Sequence, residues 1–323
     1  MRLLPALEPC RPLAWARGGH RQTMLAEVLT WRAPAVTGQR HEVQLPDGDE
    51  LVVRHEPGRS GVLVHLLHGM TGDGSSDYVR GIAAALRDRG HGILVMNHRG
   101  CGEGRGLSRG IYHAGRKEDV AAVVAFGRQL EPRSVQVAVG VSLSGNALLL
   151  SLGDDNLAWP DAALAFNPPV DLEACSQAIH RGVCRLYEMR FVHRLRHLVR
   201  DRERAGLLHD PPHLPRRIGI RGFDDHFTAP LGGFADADDY YSSCSAGPHL
   251  ARARIPAAIV TTADDPFVPV EDLVRAAEGT PVEVHVEDHG GHMGYLDSSP
   301  NRRWLAYAVP ECVESLASAA SNR

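Results

Sequence analysis

The stretch Val135–Gly145, V-Q-V-A-V-G-V-S-L-S-G, constrains the fold of this chain more than any other. Val135–Val139 is a short β-branched run, the composition of a strand buried on both faces. The run breaks at Gly140 and resumes as Asn146-Ala147-Leu148-Leu149-Leu150, which favours helix. Ser142 stands alone at the turn. A nucleophile elbow of the G-x-S-x-G type needs this strand–turn–helix setting. The sharp turn lifts the hydroxyl above the sheet edge, and the helix N-terminus offers free N–H groups, that of Leu143 among them, to an oxyanion. Its flanks are glycine because the turn brings backbones too close for side chains. Here Ser144 fills the place two after the serine, and glycine follows only at Gly145. A buried serine in an ordinary strand-to-helix turn would share the local pattern, so the rest of the chain must decide.

That rest alternates strand and helix. His41–Leu45 and Glu50–His55 have period 2 and flank Pro46-Asp47-Gly48-Asp49, a hairpin signal. Val62–Leu67 reads as a central strand. Val79, Ile82, Ala83 and Leu86 mark a helix closed by Gly90, Ile93–Met96 a strand, and Val120, Val123, Val124 and Gly127 a helix ended by Pro132. Beyond the elbow come the strand Ala162–Phe166, then Ala257–Thr262, a helix over 270–277, the strand Val282–Val286 and a helical tail from about residue 302. The rhythm predicts an α/β fold with a mostly parallel, eight-stranded sheet covered by helices on both faces. Residues 1–40, rich in Pro, Arg and Trp, read as an irregular wrap. Residues 171–247 hold helical, Arg- and His-rich stretches and no strand. They read as a helical cap inserted into a core made of 1–170 and 248–323.

Composition narrows the function. The 323 residues are 43% hydrophobic and 23% charged, as in an ordinary globular protein. A net charge of −4 gives no reason to expect a nucleic-acid partner. No segment approaches the roughly 20 apolar residues of a membrane span, so stable membrane insertion is not expected. Met1–Leu7 is too short and too soon interrupted for a signal peptide. Six scattered cysteines without paired spacing read as free thiols of a cytoplasmic protein. The pairs His65/His68 and His289/His292 lack the H-E-x-x-H pattern, so no metal site is expected. The basic stretch Arg185–Arg204 could suit an anionic surface, but reads first as a solvated cap face. Nothing in the sequence fixes an oligomeric state.

An ester-cleaving site needs a hydroxyl nucleophile, a base, an acid that orients the base, and oxyanion donors. In a doubly covered parallel sheet these stand just past the C-terminal ends of strands. Ser142 is followed by Asp264 and Asp265 after the strand ending at Thr262, then by His292 in Asp288-His289-Gly290-Gly291-His292-Met293-Gly294. The two glycines let the loop turn back over the serine; His289, before them, is the rival base. Adjacent aspartates in an extended segment point opposite ways, and Pro266 holds Asp265 extended. Asp265 therefore faces the histidine, while Asp264 serves the loop by accepting backbone N–H bonds. His68-Gly69-Met70, straight after a central strand, suits the second oxyanion donor, the Met70 N–H, with His68 bracing the loop.

The stretches G-G-H-R-Q-T (18–23), L-P-D-G-D (45–49), H-G-M-T-G (68–72), N-H-R-G-C (97–101) and I-Y-H-A-G (111–115) span the first third of the chain. G-V-S-L-S-G-N (140–146), F-D-D-H-F-T-A-P (223–230), D-Y-Y-S-S-C-S (239–245), A-D-D-P-F (263–267) and H-G-G-H-M-G-Y (289–295) follow. Together they resemble the YheT-like branch of the α/β-hydrolases, which groups bacterial esterases with animal lipases. The resemblance implies a Ser–Asp–His triad on Ser142, Asp265 and His292, no cofactor, and a small-molecule ester or lipid substrate, as in a carboxylesterase or acylglycerol lipase. Ser144 departs from the family's usual glycine, which bears on the packing of the elbow. Among further resembling residues, Arg99 and Asp225 are read either as an ion pair between the turn after a strand and the cap or as merely solvated. Phe223, Tyr240 and Tyr241 are expected to bind substrate or to pack the cap's own core. Cys101 reads as a loop residue. The expected activity is hydrolysis of short- to medium-chain acyl esters. An acyltransferase on the same triad, or a catalytically silent binding module, are the alternatives.

Overall fold

Strands apolar on both faces require cover on both faces, and the chain supplies it. A computed structural model of the chain describes residues 2–208, 213–298 and 303–323. The strands are β1 (Gln39–Gln44), β2 (Glu50–Glu56), β3 (Val62–Leu67), β4 (Gly92–Asn97), β5 (Val135–Val141), β6 (Ala162–Phe166), β7 (Ala257–Thr262) and β8 (Val282–Glu287). They form one sheet in the order β1-β2-β4-β3-β5-β6-β7-β8. The hairpin β1–β2 and the pair β2–β4 are antiparallel; every pairing from β4 through to β8 is parallel. On β5, Val137 and Val139 pack with Ile82, Leu86, Val309 and Leu316, from the helices Asp77–Asp88 and Leu305–Ser321. Ala138 faces the other way, toward Val120, Val123 and Leu148, from the helices Lys117–Leu130 and Leu143–Ser151. The result is the α/β-hydrolase arrangement, with β5 near the middle of the sheet.

Between β6 and β7 the chain leaves the sheet at Asn167-Pro168-Pro169 and builds the cap. Its main helices are Leu172–Ile179, Arg185–Arg204 and Ala237–Cys244. The expected start of the tail helix near residue 302 lies outside the described residues; the helix runs Leu305–Ser321.

Two expectations are corrected. The wrap over 1–40 is not wholly irregular, because Gly19–Val28 is a helix. Its buried side chains are Gln22 and Thr23, so no apolar stripe announces it. Nor does Arg99 pair with Asp225, whose carboxylate instead accepts the Ala237 N–H at 2.8 Å. Arg99 follows β4 and lies buried among Asp47, Asp49 and Asp119, with N–O distances of 2.6, 2.6 and 2.7 Å. It ties the β1–β2 turn to the helix Lys117–Leu130.

Candidate active site

Ser142 occupies the turn between β5 and the helix Leu143–Ser151 with φ 52° and ψ −121°. Residues with a Cβ rarely adopt such angles, and the surroundings must hold them. The Ser142 N–H donates to the Phe166 carbonyl at 2.8 Å, and the Asn146 N–H donates to the Ser142 carbonyl at 3.2 Å. A Cβ at Gly140 would lie 2.7 Å from the Ser144 oxygen and 2.8 Å from the Gly145 Cα, so strand and helix approach this closely only with glycine there.

His292 Nε2 lies 2.9 Å from Ser142 Oγ, and its Nδ1 lies 2.8 Å from Asp265 Oδ2. Asn167 Nδ2 donates to the same Asp265 oxygen at 2.8 Å; the other oxygen accepts the N–H groups of Phe267 and Val268 at 3.1 and 3.0 Å. Asp264 turns to the loop, accepting the Gly290 and Gly291 N–H groups at 3.0 and 2.7 Å. His289 stands beside Asp264, at 3.6 Å. Among the described residues, all five non-glycine positive-φ positions gather here: Thr71, Ser142, Asn167, Met293 and Tyr295. Asn167 is tied to both Asp265 and the Tyr295 hydroxyl.

The helix Gly19–Val28 holds the histidine loop, a role its sequence does not reveal. Thr23 Oγ1 accepts the His292 N–H at 2.9 Å, and Gln22 Oε1 accepts the Leu296 N–H at 2.7 Å. The only sequence signal was the G-G-H-R-Q-T run, to which no chemistry could be attached. Gly19 sits against the Asp264 carbonyl, where a Cβ would meet the oxygen at 1.6 Å.

Met70 and Leu143 line the same cavity as Ser142, and among the described residues neither backbone N–H has an acceptor. The loop carrying Met70 is fixed from below. His68 Nδ1 donates to the Gly69 carbonyl at 2.9 Å, and His68 Nε2 accepts the His98 N–H at 3.2 Å. A trans peptide sends its N–H opposite its carbonyl, so this bond directs the Met70 N–H away from the buried imidazole. The Gly69 N–H donates to the Tyr78 hydroxyl at 2.8 Å.

Ser144 completes the support: its hydroxyl donates to the His68 carbonyl and accepts from His98 Nε2 at 2.7 Å and the Tyr112 hydroxyl at 2.9 Å. Burial holds His68 neutral, its pKa lowered to about 4, and pushes that of His98 well down too. Ser144 is thus more than a small residue that fits. Ser144→Ala removes an oxygen that satisfies two buried donors. A kcat loss of about tenfold, with KM within about twofold, is expected in steady-state kinetics on a soluble ester.

The cavity above Ser142 has a volume of about 780 Å³ and is walled by Phe267, Tyr187, Phe191, Ile179, Tyr240 and Tyr241. The Phe267 ring stands 4.2 Å from that of His292. Tyr240 and Tyr241 also pack the cap's own core with Leu172, Ala237 and Cys244. Phe223 is placed differently: it lines a second, smaller cavity and clusters with Ile111, Val199 and Phe227. Cys101 is buried, its thiol pushed up to about 12 by burial and by Asp73.

Asp224, on the cavity wall, accepts the hydroxyls of Tyr241 at 2.7 Å and Thr228 at 2.6 Å. Burial raises its pKa to about 6. A carboxyl whose folded pKa lies above its unfolded value contributes stability at low pH that is lost as pH rises through about 6. Asp224→Asn should therefore flatten the fall in Tm between about pH 4 and 6, removing roughly 1–3 kcal/mol of pH-dependent stability in a thermal-melt series.

The alpha/beta hydrolase family model matches residues 62–306. Escherichia coli (strain K12) YheT is 33% identical over 308 residues, which cover 90% of this chain and 89% of that protein. The human phospholipase ABHD3 is 26% identical over 306 residues, covering 88% and 73%. Among solved structures, a Pyrococcus furiosus esterase superposes with a TM-score of 0.58 at 17% identity, covering 88% of this chain and 99% of its own. With the family model spanning most of the sequence and YheT aligned nearly end to end, the chain belongs to the α/β-hydrolase family, in its YheT-like branch.

Proposed function

We propose that the chain hydrolyses carboxylic esters of short- to medium-chain acyl groups, or lipids carrying them, through an acyl-enzyme on Ser142. By family it is an enzyme of the esterase/lipase type. The observation that carries the mechanism is the unbroken relay from Ser142 Oγ to His292 at 2.9 Å and from His292 to Asp265 at 2.8 Å. Ser142 Oγ attacks the ester carbonyl as His292 Nε2 takes its proton. Asp265 fixes the tautomer, and the N–H groups of Leu143 and Met70 hold the oxyanion. His292 then protonates the departing alcohol. It next takes a proton from water, which attacks the acyl group, and returns that proton to Ser142 Oγ as the acid leaves.

The chemistry asks for no cofactor. The largely apolar wall, with Tyr240 and Tyr241 in it, suits an acyl chain, and the volume lies within the range of small-molecule pockets. The name of the human relative, a phospholipase, agrees with a lipid ester. The six free cysteines agree with a cytoplasmic setting.

A fluorophosphonate probe with a p-nitrophenyl ester series tests the reading. Labelling is expected at Ser142 and none in Ser142→Ala, with turnover falling toward long acyl chains. His292→Ala should remove most activity and His289→Ala little. Labelling elsewhere, or none in folded protein, would overturn the nucleophile. Product rising with added alcohol in place of free acid would make the enzyme an acyltransferase.

A further inference from the structure

We infer that the rim of the cavity mouth is a docking surface for an anionic lipid interface, from which an amphiphilic ester enters the Ser142 pocket. The entry step rests on Ser142 as the nucleophile; the docking does not. The rim is formed by the helices Gly19–Val28 and Arg185–Arg204. They meet where the His20 and Tyr187 rings stack at 5.8 Å, the Tyr187 hydroxyl donating to the His20 carbonyl at 3.1 Å. They meet again where Glu27 pairs with Arg190 and Arg194. Thr23 and Ala26 of one helix, and Tyr187 and Phe191 of the other, face the cavity.

The neighbouring arcs face solvent and are apolar. Met24, Val28, Leu186 and Met189 are each more than half exposed, as is Val183 just ahead of the second helix. Met24 lies one turn beyond His20, and Leu186 one turn before Arg190, so the apolar arcs flank the contacts that join the helices. Single exposed apolar residues are ordinary, whereas a cluster rimmed by charge marks a partner surface.

The charge selects the partner. Arg21 precedes Met24 by three positions, Arg185 precedes Met189 by four, and Arg181 stands just before Val183; all three are exposed. Among the described residues none of them lies within ion-pair distance of a carboxylate. The acids of these helices nearest them are engaged. Glu27 is held by two arginines, and Glu188 is buried against His180 and the Ile220 N–H. The chain as a whole carries −4, so this cationic face is local. Headgroup phosphates would supply the missing anions, and the acyl boundary would take the leucine, valine and methionine side chains.

Flotation of the full chain as Ser142→Ala tests this, with vesicles of phosphatidylcholine alone and with about 30% phosphatidylglycerol added. Binding is expected to the anionic vesicles, at least about tenfold weaker to phosphatidylcholine, and reduced at least about tenfold by Leu186→Asp with Met189→Asp. With Ser142 intact, that double variant should keep kcat/KM on soluble p-nitrophenyl butyrate within about twofold. On vesicle-borne ester it should lose about tenfold or more. Absent binding, binding indifferent to the anionic lipid, or binding unchanged by the double substitution overturns the inference. So does a dimer, seen by light scattering, that the double substitution dissociates. Vesicle binding without turnover of the soluble ester would sink the hydrolase reading and leave the docking intact.

Discussion

Asp265→Asn should lower kcat by about 10²-fold or more, while Asp264→Asn should lower it clearly less. The two residues are neighbours in sequence and differ in what they hold. Asp265 accepts from His292 Nδ1 at 2.8 Å and is itself fixed by Asn167 and two backbone N–H groups. An asparagine there presents an NH₂ group to Nδ1 and favours the tautomer whose Nε2 carries the proton. That imidazole cannot take the proton of Ser142; in a well-characterised triad this substitution costs roughly 10⁴. Asp264 holds two glycine N–H groups of the histidine loop, and asparagine can still accept them through its carbonyl. Kinetics of both variants, with native circular dichroism as the control, decide between them. A larger loss at Asp264 would reassign the orienting acid.

Arg99→Ala should destabilise the fold by roughly 3–5 kcal/mol. The guanidinium is buried and bonds Asp119 with two nitrogens, at 2.8 and 2.7 Å, while its third nitrogen bonds Asp47 and Asp49 at 2.6 Å each. Removing it strands the Asp119 carboxylate, which is fully buried, and leaves Asp49 nearly so. A buried charge without its partner is costly because water no longer reaches it. For a chain of this size each kcal/mol moves Tm by about 1–2 °C, so a fall of roughly 4–8 °C is expected in calorimetry. Activity below the melting range should change little, because Arg99 lies outside the cavity above Ser142. A fall of less than about 2 °C would show that the ion cluster is not structural.

Much of the fold was legible because apolar period and turn chemistry are local. β5 and the helix after it announced themselves by composition, and Gly90 and Pro132 closed helices where expected. Ser142 and His292 were legible for a related reason: one needs a glycine-flanked turn and the other a glycine-rich loop. The approach of Asp265, and not Asp264, to His292 agrees with the extended backbone that Pro266 favours. What stayed hidden depends on contacts between distant segments. The helix Gly19–Val28 buries glutamine and threonine, so its hydrophobic pattern is silent. The hydroxyl of Ser144 gains meaning only when residues 68, 98 and 112 arrive around it. Arg99 could be seen to want an acid, but three candidates lay nearer in space than Asp225.

The bond from the Leu296 N–H to Gln22, and that from His292 to Thr23, also set a timetable for biosynthesis. Gln22 and Leu296 are separated by 274 positions in the chain. At the usual roughly 5–20 residues per second, the ribosome makes Gln22 about 14–55 s before its partner exists. Through that interval the sheet from β1 to β7 can assemble around Ser142 before His292, its neighbour at 2.9 Å, has been made. On the proposed mechanism the nascent chain carries a dormant serine, and reactivity switches on only when the last tenth of the polypeptide closes against the first.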